Sequence, residues 1–241
     1  LGFFVWEDIL AKRSWKKLAV YSKMVLIITG VLIVGGALFF LMEEYANPAT
    51  LGNMPLWEKI LNSFFQSVTL RTAGFDALGQ GGLSDTSKAF SSILMLIGGS
   101  SGSTAGGLKT ATVAVLLLAL RSGLAGREQV TFRGRTIPYR RVLNAMTLAL
   151  VMLFLFLVGS MVISTVENLP YLDCAFEVAS AMGTVGLTTG ITPTLSPFSQ
   201  SLIILLMYMG RVGVLSFSIA FITRSGRTAK IKYPEMNVMI G

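Results

Sequence analysis

Two short strings carry residue types that can strip water from a cation: "TAGF", which is Thr72, Ala73, Gly74 and Phe75, and "TVGL", which is Thr184, Val185, Gly186 and Leu187. A potassium ion crossing a membrane must exchange its hydration shell for other oxygens. A threonine followed by an extended, glycine-permitted backbone presents hydroxyl and carbonyl oxygens along a narrow axis. One such string is weak, because four letters with one glycine arise by chance in any apolar chain. Setting Thr72 on Thr184, 112 positions apart, also pairs Phe64 with Phe176, Gly74 with Gly186 and Phe75 with Leu187. Continued without a gap, the offset puts Gly98 on Gly210 and Gly99 on Arg211. The chain therefore reads as a tandem repeat, with the two strings as two walls of one potassium filter.

A third polar run, "GGSSGSTAGGLKT" at 98–110, invites three other readings. Gly98 to Gly102 fits the G-x-S-x-G string of serine hydrolases, but that chemistry needs a base to take the serine proton, usually histidine, and the chain has none. Gly102, Gly107, Lys109 and Thr110 mimic a phosphate-binding loop, yet Leu108 stands where the lysine belongs and no strand precedes it. Gly98, Gly102 and Gly106 have the four-residue spacing of helix packing. Serines and a threonine fill the positions between them, so no single face is marked and an unwound loop is expected. The lone Cys174 excludes an intrachain disulfide and, without histidine, a zinc site.

The elements that must position these residues follow from composition. Of 241 residues 53% are hydrophobic and 13% charged, and the mean hydropathy is +0.68, which sets the chain apart from soluble domains. A spanning helix needs roughly 20 apolar residues. Leu18–Met42 and Val142–Val166 meet that plainly; Ser201–Ile222 is long enough but carries Arg211 at its centre; Ala89–Leu120 is too long for one straight span and is broken in the middle. The opening residues have acidic side chains and tryptophans where a signal peptide has its apolar core, and no initiator methionine stands first, so the chain is expected to begin mid-protein.

Charge sets the topology. The basic groups before the first span, the six arginines from Arg121 to Arg141, and Arg224, Arg227, Lys230 and Lys232 share the cytoplasmic side by the positive-inside rule. The net charge of +8 is thus topological, and no nucleic-acid partner is expected. The segments 55–75 and 170–187 are too short to cross, and crossing would scatter the basic regions. They are expected to be re-entrant, a half-helix going in and an extended return coming out. The half-helix C-terminal ends would then favour a cation at the axis.

The resulting organisation is an all-α membrane protein of tandem span–re-entrant pore loop–span repeats, like a potassium-channel pore. It comprises a lead-in at 1–19, a first repeat at 20–123 broken at 98–109, a basic connection at 124–141, a second repeat at 142–223 and a cytoplasmic tail at 224–241. The break is read as a gate under the filter, made of Gly98, Gly99, Ser100, Ser101, Gly102, Ser103, Thr104, Ala105, Gly106 and Gly107, with few packed contacts and with Lys109 reaching toward the cytoplasm. Arg211, at the same depth, is read as an electrostatic barrier. Arg71 is expected off the axis as a strut paired with a carboxylate such as Asp76, and Glu58, Asp173 and Glu177 as structural or solvated groups.

"TLRTAGF", "GGSSGSTAGGLKT", "SAMGTVGLTTG" and "YMGRVGVLSF", in this order, resemble the second half of the membrane subunit of Trk/Ktr potassium transporters, most closely the Ktr type. The resemblance covers nearly the whole chain. It implies four linked span–loop–span repeats around one pore in a multi-pass bacterial inner-membrane protein, of which this chain carries the third and fourth. It also implies a second copy of the membrane subunit and a cytoplasmic nucleotide-binding ring that regulates opening. No covalent cofactor and no enzyme activity are implied; potassium is the substrate, with sodium as activator or co-ion. Two repeats cannot surround an ion, so either an N-terminal half with two further repeats or a dimer completes the pore. A membrane scaffold without transport is the remaining alternative.

Overall fold

The computed structural model describes residues 1–127 and 129–213, and the expected tail at 224–241 with the end of the last span lies outside them. A short helix α1 (Phe3–Lys12) leads into α2 (Val20–Glu43), and the half-length α3 (Leu56–Thr69) follows. Then come α4 (Asp85–Leu96) and α5 (Thr110–Leu124), separated by the glycine- and serine-rich run. A small hairpin of β1 (Thr131–Phe132) and β2 (Arg135–Thr136) leads to α6 (Tyr139–Glu167), α7 (Tyr171–Gly183) and α8 (Pro197–Val212).

Helices α2 and α6 are long and apolar enough to cross a membrane. Both leave many large apolar side chains exposed, among them Val31, Val34 and Leu38 on α2 and Leu150, Phe154 and Met161 on α6, as lipid-facing surfaces do. Prolines 55 and 170 hold the residues ahead of α3 and α7, where the missing amide costs nothing. Helix α7 is the centre of the molecule. Every residue from Cys174 to Gly183 is buried, and it packs on α4, α6 and α8.

Two apolar clusters meet along α7. One gathers Met152 and Ile163 of α6, Val178 and Met182 of α7, and Ile203 and Leu206 of α8. The other joins the repeats: Phe40, Leu70, Leu94 and Met95 of the first pack on Phe176, Ala179, Val185 and Leu187 of the second. Fully burying side chains of this size is worth roughly 1.5–3 kcal/mol each in water; in lipid the gain comes instead from close packing. The seam is tight enough that a Cβ at Gly183 would collide with the Met95 carbonyl oxygen. At its outer end Lys88 of α4 pairs with Asp173 of α7 at 2.8 Å, which assigns Asp173 a structural role.

The repeat extends to a feature outside the sequence reading. Ser84 and Ser196, again 112 apart, cap α4 and α8 by accepting hydrogen bonds from the amides of Ser87 and Ser199. In each repeat the capping serine's own amide donates to a glutamate at the outer end of the preceding span, Ser84 to Glu44 at 3.0 Å and Ser196 to Glu167 at 3.1 Å. Each repeat is thus closed by a carboxylate clasp between its first and third helices, α2 with α4 and α6 with α8.

The span expected at Ser201–Ile222 begins earlier, at Pro197, because Ser196 and Pro197 form a helix start. Its described part ends at Val212 on Gly213, whose φ is +91°, so Arg211 lies in the last turn and not at a helix centre. The hairpin was also unforeseen.

Burial pushes the Glu44 carboxyl up, but hydrogen bonds from Thr50, the Ser84 amide and Asn47 outweigh it and hold the group below the ordinary carboxylate range. A depressed folded-state pKa stabilises at neutral pH and ceases to do so as pH falls through it. Glu44→Gln is therefore expected to cost about 2 kcal/mol at pH 7. The gap between wild type and variant should begin to narrow once pH falls below the ordinary carboxylate range and close only below the depressed Glu44 pKa, read by thermal unfolding of the intact protein in detergent.

Candidate ion-conduction site

Each half-helix ends in a return with the same unusual backbone. Thr72 and Gly74 have φ of +68° and +77°, and Thr184 and Gly186 have +53° and +92°. Ala73, Phe75, Val185 and Leu187 are not among the positive-φ residues. In a β-strand successive carbonyls point to opposite sides; alternating the sign of φ cancels that alternation and turns consecutive carbonyl oxygens toward one side. A left-handed threonine is strained by about 1–2 kcal/mol, and its appearance at two matched positions points to function. Both returns stand at helix C-terminal ends, where the helix dipole favours a cation.

The two returns touch. A Cβ at Gly74 would collide with the Val185 carbonyl oxygen, so this glycine is required both by its φ and by the approach of the second return. Gly186 has the same handedness but open space around it. Thr69 pins the first return by accepting from the Phe75 amide at 2.8 Å and donating to its carbonyl at 2.7 Å.

Behind the returns the repeats use different chemistry at one place. In the first, Gln80 donates to Asp76 at 2.7 Å and receives a bond from Gln66 at 2.6 Å, while Asp76 also accepts the amides of Leu78 and Gly79. In the second, the buried Glu177 carboxylate accepts from Thr188, Thr189 and Thr192. Both are brackets for the return, which fits the structural role expected of Glu177.

The break between α4 and α5 lies directly against the second return. The Gly106 amide donates to Thr184 Oγ1 at 3.1 Å. Arg71 donates to the Gly98 carbonyl at 3.3 Å, and Arg211 donates to the carbonyl of Thr104. Arg71 is therefore a strut as expected, but on the loop and not on Asp76, whose carboxylate is occupied by its own bracket. The Lys109 ammonium, expected to reach toward the cytoplasm, bonds the Ala105 carbonyl within the loop.

The loop is better tied than its composition suggests. Ser103 bonds the Ser100 carbonyl at 2.6 Å, Ser100 and Thr110 join hydroxyls at 3.1 Å, and Leu108 and Ile97 form an isolated bridge. Gly98, Ser100, Ala105 and Gly106 are buried, while Gly102 and Thr104 are exposed. On its far side the Phe3 amide donates to the Gly102 carbonyl at 3.1 Å, and Gly2 is too close to the Ser101 carbonyl to carry a side chain. Nothing in the sequence signals this contact with α1, because it is made by backbone.

Two short helices that end in matched positive-φ returns, beside helices long and apolar enough to cross a membrane, suit the class of cation-conducting membrane proteins. The chain belongs to the TrkH cation transport protein family, whose model matches residues 13–231; the family transports cations and is not one of enzymes. Among curated proteins it is 43% identical to the potassium/sodium uptake protein NtpJ of Enterococcus hirae and 35% identical to the Ktr system potassium uptake protein B of Bacillus subtilis. Each alignment covers 100% of this chain and 54% of the relative. The crystal structure of the potassium transporter TrkH from Vibrio parahaemolyticus shares the fold, with a TM-score of 0.72 at 19% identity over 91% of this chain and 48% of that one. The chain thus spans about half the length of the relatives it matches.

The Thr184 hydroxyl joins return and loop, which can be checked directly. Thr184→Val should raise amide hydrogen exchange across residues 98–108 in the intact protein, and Thr184→Ser, which keeps the acceptor, should leave it near wild type.

Proposed function

We propose that this chain forms two walls of a potassium-selective pore in a bacterial inner membrane. The observation that carries the reading is the matched pair of returns. Thr72 to Phe75 and Thr184 to Leu187 alternate in handedness at the same positions, end two half-helices and lie side by side. The names of the potassium uptake relatives support the choice of ion, and sodium is an activator or co-ion.

The pore is completed by two further repeats. Three residues of the seam between the repeats are buried whereas their mates 112 positions away are open: Phe176 is 0% exposed and Phe64 49%, Leu187 4% and Phe75 69%, and Met207, the mate of buried Met95, is 45% exposed; the mates of Phe40, Leu70 and Leu94 are buried. Apolar positions used in the seam once and left open at Phe64 on α3 and Met207 on α8 fit a ring with more members. Covalent linkage in a longer protein is the favoured source, given the half-length match; dimerisation of this chain is the alternative. Vesicles containing this chain alone should carry no potassium flux under the first and full flux under the second.

The loop 98–109 acts as the gate beneath the filter, and Arg211 as a barrier that its contact with Thr104 holds in place. A cytoplasmic nucleotide-binding ring, as in the Ktr-type resemblance, would shift the loop. In the intact transporter Gly74→Ser and Gly186→Ser should weaken potassium affinity or relax selectivity over sodium by about tenfold, on the order of 1.4 kcal/mol, at similar protein level. Unchanged kinetics for both ions would refute the filter. Arg211→Gln, and separately a shortened loop, should raise potassium flux while selectivity is kept, as measured in reconstituted vesicles.

A further inference from the structure

The connection between the repeats builds a cavity that the pore does not use. It has a volume of about 480 Å³ and is lined by Arg121, Arg127 and Arg133 around Leu118, Thr131 and Phe132. An apolar groove of about 170 Å³ shares Leu118, Arg121 and Phe132 with it, and runs along α2 and α5 past Met24, Ile27, Ala114 and Leu117. A cavity with three arginines thus adjoins a hydrophobic furrow, with Arg121 lining both.

The cavity is held in shape. Ser122 of α5 donates to the Gln129 carbonyl at 3.0 Å, which ties the hairpin back to the helix. The hairpin turns on Arg133 and Gly134, with φ of +47° and +74°, the handedness of a type I′ turn. Asparagine, aspartate or glycine normally fills the first of these positions, so an arginine there is kept against local preference and directs attention to its side chain.

Residue choice separates this site from topology alone. The positive-inside rule is served equally by lysine and arginine, and the lead-in mixes the two, with Lys12, Lys16 and Lys17 beside Arg13. From Arg121 to Arg141 all six cations are arginine. Arginine's planar fork binds a phosphate through two parallel hydrogen bonds, which an ammonium cannot do. Among the described residues the ion pairs are Lys12–Asp8 and Lys88–Asp173, so these arginines lack carboxylate partners there.

We propose that this cavity and groove bind one anionic phospholipid of the cytoplasmic leaflet, its phosphodiester on Arg121, Arg127 and Arg133 and an acyl chain along the α2–α5 furrow. The furrow decides between a lipid and a free anion, because a soluble phosphate has no use for it. Basic pockets between membrane helices on this side are suited to such head groups.

The test is native mass spectrometry of the intact protein titrated with dioleoylphosphatidylglycerol, dioleoylphosphatidylcholine, and glycerophosphoglycerol, the head group without tails. Phosphatidylglycerol should bind at about tenfold lower concentration than phosphatidylcholine, a preference of about 1.4 kcal/mol, and glycerophosphoglycerol should not displace it. The triple variant Arg121→Gln, Arg127→Gln, Arg133→Gln should lose the preference. Arg13→Gln, Lys16→Gln, Lys17→Gln, which removes equal charge from the same side, should keep it. Arg133→Gly relaxes the turn and cannot be dismissed as misfolding; it should weaken phosphatidylglycerol binding several-fold. Equal loss in both triples, no change in Arg133→Gly, or displacement by the head group alone would overturn the site. So would a site triple that abolishes binding of a cytoplasmic regulatory subunit while leaving lipid adducts intact.

Discussion

A backbone that leaves the helix at membrane depth finds no water for its amides and carbonyls, and must satisfy them within the protein. Under the proposed pore reading this constraint governs both returns and the break between α4 and α5. The loop solves it with its own hydroxyls and with four outside donors or acceptors, the Thr184 hydroxyl, Arg71, Arg211 and the Phe3 amide. Its polar groups are thereby shared with the second return and with the end of α8. A displacement of the loop must give up those bonds together, so the energetic difference between its positions is set by a few named contacts and not by diffuse packing.

The repeats keep one backbone plan and fill it differently. Thr72 matches Thr184 and Ser84 matches Ser196 in conformation and role, whereas Gly99 faces Arg211 across the offset and the Asp76 bracket becomes the Glu177 bracket. Geometry is preserved where it presents carbonyls or starts a helix. Chemistry diverges where a side chain only has to hold that geometry or fill the space beneath it.

Much of this was legible in sequence because the relevant physics is local. A 24-residue apolar run forms α2 whatever surrounds it, since in lipid a helix satisfies its own backbone. Glycines crowd the loop where the chain departs from helix, and the fixed offset exposes the matched returns. Other features depend on partners distant in the chain. Arg71 meets Gly98 and not Asp76, Lys109 turns back on Ala105, and Phe3 reaches Gly102, all through carbonyl oxygens that every residue possesses. Arg211 appeared central to a span because hydropathy does not register the end of α8 at Val212. The Glu44 and Glu167 clasps escaped because their separation from the capping serines differs between repeats.

Those clasps bear on how such a chain assembles. Each closes within its own repeat, over 40 residues in the first and 29 in the second, whereas the Lys88–Asp173 contact spans 85. The entropic cost of ring closure rises with the logarithm of contour length, so the short closures are the easier ones to make as the chain emerges from the translocation machinery. A repeat can be locked into its hairpin-like shape before its neighbour is synthesised, and the buried seam then forms between two preshaped bodies. On sequence separation alone the carboxylate closures are favoured over the Lys88–Asp173 contact, by about 0.6 kcal/mol for each doubling of contour length.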